Sequence, residues 1–198
     1  MLKLIHSRYD FGLTSDSGVL MVKLVSIAGS LRAGSYSHQA LAIASRTAQG
    51  LGAEVTTLDL RQLTLPFCDG NDHYADYPDV VCLRETVKAA DGLILATPEY
   101  HGSVSGVLKN TLDLMSFDEL SGKVVGAISV LGGQANNNAL NDLRTIARWV
   151  HAWVIPEQVA IGQAWKAFDD DGQLVDDKLV ERLDKFVHSL VIHTAKLR

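Results

Sequence analysis

Five runs rich in Val, Ile and Leu, each followed by a segment of helical period, predict an α/β domain. The expected architecture is a three-layer sandwich whose five-stranded parallel sheet has the order 2-1-3-4-5. The runs fall at 22–28, 54–60, 92–97, 123–130 and about 153–161, and they are continuous rather than alternating. That pattern belongs to parallel strands covered on both faces. The third observation is compositional: 47% of the 198 residues are hydrophobic, and no Pro-, Ser- or charge-rich linker divides them. One core is the simplest organisation.

Taken in order, Met1 to Leu20 is mixed in character and lacks a clear period, so residues 1–20 read as a poorly ordered N-terminal extension without assigned chemistry. The domain is expected to span 21–198. Strand 1 delivers the chain to the loop 29–37, and a helix begins near Tyr36 with the stripe Leu41, Ala44, Ala48 and Leu51. Asp59 ends strand 2. Strand 3 is expected to stop at Pro98, with Gly102 allowing close backbone approach and Ser103 capping a helix marked by Val104, Val107, Leu108, Thr111, Leu112 and Met115. Strand 4 leads into Ser129-Val130-Leu131-Gly132-Gly133-Gln134. The last helix carries Leu179, Leu183, Phe186, Val187, Leu190 and Val191, a stripe wide enough to close one face of the sheet. With right-handed crossovers the topology is flavodoxin-like, and ligands bind beyond the carboxyl ends of strands 1 and 3, where the strand order reverses.

The most informative stretch is Gly29-Ser30-Leu31-Arg32-Ala33-Gly34-Ser35-Tyr36-Ser37. A helix starting there points unpaired N–H groups and a positive dipole end back at the loop, and the hydroxyls of Ser30, Ser35 and Ser37 with the Arg32 fork suit a phosphate monoester. An ordinary strand-to-helix turn with a serine cap remains the alternative. Two nucleotide motifs are excluded. Ser35-Tyr36 stands where a P-loop requires Lys followed by Ser or Thr, and Ser-Leu-Arg fills the interior of what a dinucleotide fingerprint would need as glycine. Asp59 is still placed to imitate a ribose-binding acid.

Composition narrows the partners. A formal charge of −5 with mixed signs gives no basic stripe for nucleic acid. Cys68 and Cys82 form no C-x-x-C pair and no metal spacing with the seven histidines, so no metal site is expected and a reducing cytoplasm is. No apolar run approaches the roughly 20 residues of a membrane span.

Three glycine- and hydroxyl-rich loops at one sheet edge fit a single extended ligand with a phosphate at one end and a ring at the other. Gly29-Ser30-Leu31-Arg32-x-x-Ser35-x-Ser37, then Thr97-Pro98-Glu99-Tyr100-His101-Gly102-Ser103 with Leu108-Lys109-Asn110 and Asp113, then Gly132-Gly133, resemble the NADPH-dependent FMN reductase family. The resemblance runs from about Met21 to Ile161. It implies a flavodoxin-like fold and NAD(P)H-dependent reduction of quinones, free flavin, metal ions such as chromate, or azo compounds through bound FMN. It also implies that Ser30, Arg32, Ser35 and Ser37 hold the FMN phosphate, with Tyr36 beside them among the cofactor-binding residues. Pro98, Glu99, Tyr100, His101, Gly102 and Ser103 would line the ribityl chain and ring, and Ser129, Gly132 and Gly133 would cover the far side. Two positions depart from the family pattern: Ser37 replaces a common Asn, and Ser105 a common Pro.

Flavin carries the redox chemistry, so no catalytic base is expected, and His101 is at most an auxiliary donor to the acceptor. The competing readings are an FMN electron carrier and a nucleotide-binding regulatory domain, both without NAD(P)H turnover. The segments 66–78, with Phe67, Tyr74 and Tyr77, and 165–168 are candidates for an acceptor-pocket wall or for an interface. A homodimer or homotetramer is expected from the resemblance alone.

Overall fold

The computed structural model describes residues 21–71 and 73–198; the expectation for residues 1–20 lies outside the described residues. The sheet is built from β1 (Lys23–Ala28), β2 (Glu54–Leu58), β3 (Gly92–Tyr100), β5 (Val124–Val130), β6 (Trp153–Val154) and β7 (Val159–Ile161), with β4 (Ser103–Val104) folded back on β3. Parallel pairing gives the path β2-β1-β3-β5-β6, and β7 continues alongside β5. In terms of the five expected strands this is the order 2-1-3-4-5. The chain has the flavodoxin-like α/β fold.

Helices close both faces. On one side α1 (Tyr36–Gly50) and, after the short α6 (Ala164–Ala167), α7 (Asp177–Leu197) bury Ala40, Leu41, Ala44, Leu183, Phe186 and Leu190 against Leu24, Ile94, Val124 and Ile128 of the sheet. On the other, α2 (Pro78–Lys88), α3 (Gly106–Asp113), α4 (Phe117–Leu120) and α5 (Asn138–Trp149) cover Val25, Ile27, Leu93, Leu95 and Val125. Alternate residues of each strand go to opposite cores, which is why the runs carry no polar period. β2 is the exception. It is an edge strand in which only Leu58 is fully buried, so its expected two-sided cover is absent.

Several boundaries differ from those expected. β3 runs through Pro98 to Tyr100. Its pairing with β1 ends at Ala28–Ala96, whereas pairing with β5 continues to Pro98–Val130, so the missing N–H of proline faces a side where β1 has already ended. The fifth strand is split. Trp153 lies opposite Val124 and Val159 opposite Ile128, offsets of 29 and 31, so two extra residues are accommodated around Pro156. The cap of α3 is Ser105, whose hydroxyl accepts from Leu108 N, while Ser103 and Val104 belong to β4. Met115 lies beyond the end of α3 but is buried, and Leu51 is the exposed C-cap of α1.

Candidate flavin site

At the carboxyl end of β1 the chain is held from two sides. Gly29 N donates to Ala96 O at 2.8 Å, and the Ser105 hydroxyl donates to Gly29 O at 2.6 Å. A Cβ at Gly29 would lie 2.6 Å from both Leu108 Cβ and Ser105 Oγ, so the close approach of α3 to this loop requires glycine. Ser105 N in turn donates to Thr97 Oγ1 at 3.0 Å, which fastens the loop after β1 to the end of β3. Ser105 therefore replaces the pre-organisation of a helix-start proline with three hydrogen bonds.

Beyond Gly29, Ser30 is 3% exposed; its hydroxyl accepts weakly from Arg32 N at 3.4 Å and its carbonyl accepts from the His38 ring at 2.8 Å. Ser35 caps α1 through its hydroxyl, which accepts from Ser37 N at 3.2 Å. Both readings of this stretch meet here, because the serine cap is present and the helix it starts is fifteen residues long with no acid in its first turn. The positive end of α1 is thus left uncompensated. Arg32 is exposed, its guanidinium carbon 5.4 Å from the centroid of Tyr36, and Tyr36 stacks on Phe168 with centroids 5.5 Å apart.

After β3 the sequence folds into a two-residue hairpin. Tyr100 pairs with Ser103 and Glu99 with Val104 in antiparallel register, and the turn residues His101 and Gly102 have φ of 52° and 78°. Positive φ at both central positions is the twist-matched turn of tight hairpins, which glycine adopts freely and histidine does not. Tyr100 is 53% exposed, and the hairpin lifts it and His101 above the sheet edge. Two members of the segment are differently employed: the Ser103 hydroxyl donates to Asp142 at 2.7 Å, and Glu99 accepts from Ala139 N at 3.4 Å.

After β5 the loop 131–137 is held by Leu131 N donating to Ile161 O and Gln163 N donating to Gly133 O. Nothing lies within 4 Å of the Cβ directions of Gly132 and Gly133, so the backbone there is open to approach. Ser129 is fully buried in β5 and its hydroxyl has no partner among the described residues. Its parity with Val125 and Ala127 turns it towards the core beneath α3 and α5.

The remaining candidates have partners of their own. Asp59 is held by Arg61, whose Nε and Nη2 donate at 2.8 and 2.6 Å. That hydrogen bonding holds its carboxyl down at about 2, and the acid is committed to Arg61. Tyr74 is buried, and its hydroxyl donates to Asp69 at 2.7 Å. Asn110 accepts from Cys68 N and donates to Pro66 O, both at 2.9 Å. The residue between them, Phe67, is 89% exposed. Lys109 forms an i,i+4 ion pair with Asp113 at 2.7 Å. The motif on α3 is therefore a loop fastener, and no spacing in the sequence announces its partners.

The donor set fits a flavin mononucleotide: a helix N-terminus without acids, three hydroxyls and a free guanidinium at one end, and a raised hairpin with an open glycine loop at the other. Such a sheet and edge define a flavodoxin-like FMN-binding protein. An archaeal flavodoxin superposes with a TM-score of 0.61 over 87% of this chain and 99% of its own, at 10% identity. The better superposition of the flavoenzyme NAD(P)H:(acceptor) oxidoreductase FerB from Paracoccus denitrificans, TM-score 0.74 at 24% identity, covers 89% of this chain and 99% of that one.

The chain belongs to the NADPH-dependent FMN reductase family, whose model matches residues 22–166. It is 32% identical over 182 residues to the NADPH-dependent FMN reductase ArsH of Shigella flexneri, covering 89% of this chain and 70% of that protein. It is also 34% identical to an NAD(P)H-dependent FMN reductase of Pseudomonas aeruginosa over 89% of this chain and 97% of the other. An FMN-dependent NADPH-azoreductase of Staphylococcus aureus is 40% identical over 55% of this chain and 59% of its own. The protein is accordingly an FMN-dependent NAD(P)H oxidoreductase.

Proposed function

We propose that the loop 29–37 seats the FMN phosphate, that the hairpin 98–103 and the loop 131–135 flank its ring, and that the open ring face serves NAD(P)H and a small organic acceptor in turn. FMN supplies the chemistry when bound, taking a hydride from NAD(P)H and passing the electrons on. The observation that carries this reading is the seat: α1 begins behind Ser35 with no acidic residue in its first turn, and Arg32 stands exposed beside it.

Within the site the residues bind and orient. Arg32, held over Tyr36, neutralises phosphate charge, and the α1 N-terminus adds its partial positive charge. The amides of the His101–Gly102 turn would face the polar edge of the ring, and the open backbone at Gly132 and Gly133 would admit its far end. No side chain is required to hold a proton on the flavin side; His101, exposed on the turn, is placed to donate to an acceptor oxygen. Azo compounds and quinones are the acceptor class we favour, supported by similarity to an NADPH azoreductase of Bacillus, 37% identical over 67% of this chain.

The same reading includes a homo-oligomer. Its support is the set of exposed aromatics Trp149, Trp153 and Phe117, which are 71, 60 and 48% exposed in a single copy. The test of the flavin site is a titration of the protein with FMN and riboflavin, followed by NADPH oxidation with and without a quinone. FMN is expected to bind at least tenfold more tightly, because only it presents a phosphate to the seat, each charge-assisted bond being worth about 1.5–3 kcal/mol. Equal affinities would remove the phosphate seat, and absence of NADPH oxidation by the loaded protein would favour an electron carrier.

A further inference from the structure

Asp142 lies on α5, 39 residues beyond the hairpin, and no chemistry in the sequence singles it out. The hairpin itself is a weak element. It has two paired positions, and its turn places a histidine at φ 52°, a conformation that costs a non-glycine residue energy and persists only where its surroundings impose it. Those surroundings are the first turns of α5. On the incoming strand, Glu99 Oε2 accepts from Ala139 N, while Asn137 at the N-cap of α5 forms no side-chain cap bond, so a neighbouring strand supplies that acceptor. On the returning strand, the residue immediately after the turn, Ser103, donates its hydroxyl to Asp142 Oδ2 at 2.7 Å. Between them, the Cβ direction of Gly102 points to Asn138 Nδ2 at 3.7 Å.

α5 also reaches the opposite way. Arg144 donates to Ile155 O at 2.9 Å, Pro156 O at 2.8 Å and Gln158 Oε1 at 2.7 Å, and Gln158 donates to Asn137 Oδ1 at 3.2 Å. One helix thus connects the hairpin, the loop 131–137 that runs into it, and the break between β6 and β7. Both of its ties to the hairpin end on a carboxylate, and at 2.7 Å against 3.4 Å the Ser103–Asp142 bond is the shorter.

We infer that Asp142 is a positioning residue for the flavin: through Ser103 it fixes the His101–Gly102 turn in the conformation that meets the ring. This rests on the placement of FMN proposed above. The carboxylate itself does not touch the ligand; its effect is transmitted by a single hydroxyl, and removing either end of that bond is sufficient to abolish it. An amide oxygen still accepts from Ser103, more weakly because it carries no charge, and threonine retains the donor.

The test has two measurements on Ser103→Ala, Asp142→Ala, the double variant, Asp142→Asn and Ser103→Thr. FMN release from the holoprotein, read as the rise of flavin fluorescence on dilution, is expected to reflect about tenfold weaker binding in each alanine variant, the size expected on losing a hydrogen bond to a charged group. The double variant is expected to be no worse than either single one, because both remove the same contact. Ser103→Thr is expected to recover wild-type behaviour, and Asp142→Asn to fall between wild type and the alanine variants, because its acceptor is neutral. The second measurement is amide hydrogen exchange of residues 100–103 in the flavin-free chain, which is expected to accelerate most in the alanine variants. Additive losses, or unchanged exchange at 100–103, overturn the inference. If the wild-type protein holds no FMN while exchange responds as described, the flavin reading fails and the bracing of the turn stands.

Discussion

Arg32 is exposed over the face of Tyr36 and has no carboxylate partner among the described residues. A guanidinium kept free of acids, beside a helix start free of acids, remains available to an anion. Replacing Arg32 with Ala is therefore expected to weaken FMN binding by about 1.5–3 kcal/mol while leaving the fold intact, since the side chain buries nothing in the core. Isothermal titration with FMN, alongside the thermal midpoint of the variant, checks both halves; an unchanged titration would remove Arg32 from the seat. At this scale much of the site is legible, because glycine, serine and arginine between an apolar run and a helical stripe carry their reasons locally. The roles of Ser103, Asn110 and Asp142 are not legible. Their partners lie 39 to 44 residues away, and a serine two positions before the true cap of α3 caps it no less plausibly, on sequence, than the one that does.

Elements fare differently. The strands follow from their apolar runs, but two ends depend on neighbours: β3 passes through Pro98 because β1 has stopped, and the fifth strand breaks where β5 and the chain around Pro156 fall out of step. His-Gly is an unusual tight-turn pair, so the hairpin carries a weak signature compared with Asn-Gly or Asp-Gly. At the end of β2, Asp59 and Arg61 form a local clamp. The folded carboxyl of Asp59 is held at about 2, below its ordinary 3.8, by the hydrogen bonds from Arg61. A depressed acid contributes stability above its unfolded value and loses it as the pH falls through the folded one. The thermal-midpoint gap between wild type and Asp59→Asn is thus expected to be constant near neutrality and to close between pH 3.8 and about 2. Scanning calorimetry of both proteins across that window checks it, and a gap independent of pH would show that the clamp does not operate in solution. Arg61 is 40% exposed at its side chain, so the gap is expected to be small and to shrink further in salt.

For the whole molecule, the three loops stand on one edge of one sheet, and the proposed flavin leaves a single face open between them. Donor and acceptor must then alternate on that face. Initial rates with NAD(P)H and quinone both varied are expected to give parallel double-reciprocal lines; intersecting lines would require two separate binding surfaces and count against the arrangement. The two-layer cover of the sheet is legible from composition and period together, whereas the position of α5 as the brace of three loops emerges only once the chain has folded.

The broken strand at 153–161 has a consequence for how copies of this protein meet. A long, flat outer strand offers a row of unpaired amides and carbonyls on which another chain can extend the sheet, the usual first step towards fibrous aggregates. Here that outer border is two residues of β6, an interruption at Pro156 with Ile155 O and Pro156 O already occupied by Arg144, and three residues of β7. The border is too short and too irregular to template another strand. Any contact between copies on this side would therefore fall to side chains such as Trp153, selected by shape and not by a shared backbone ladder.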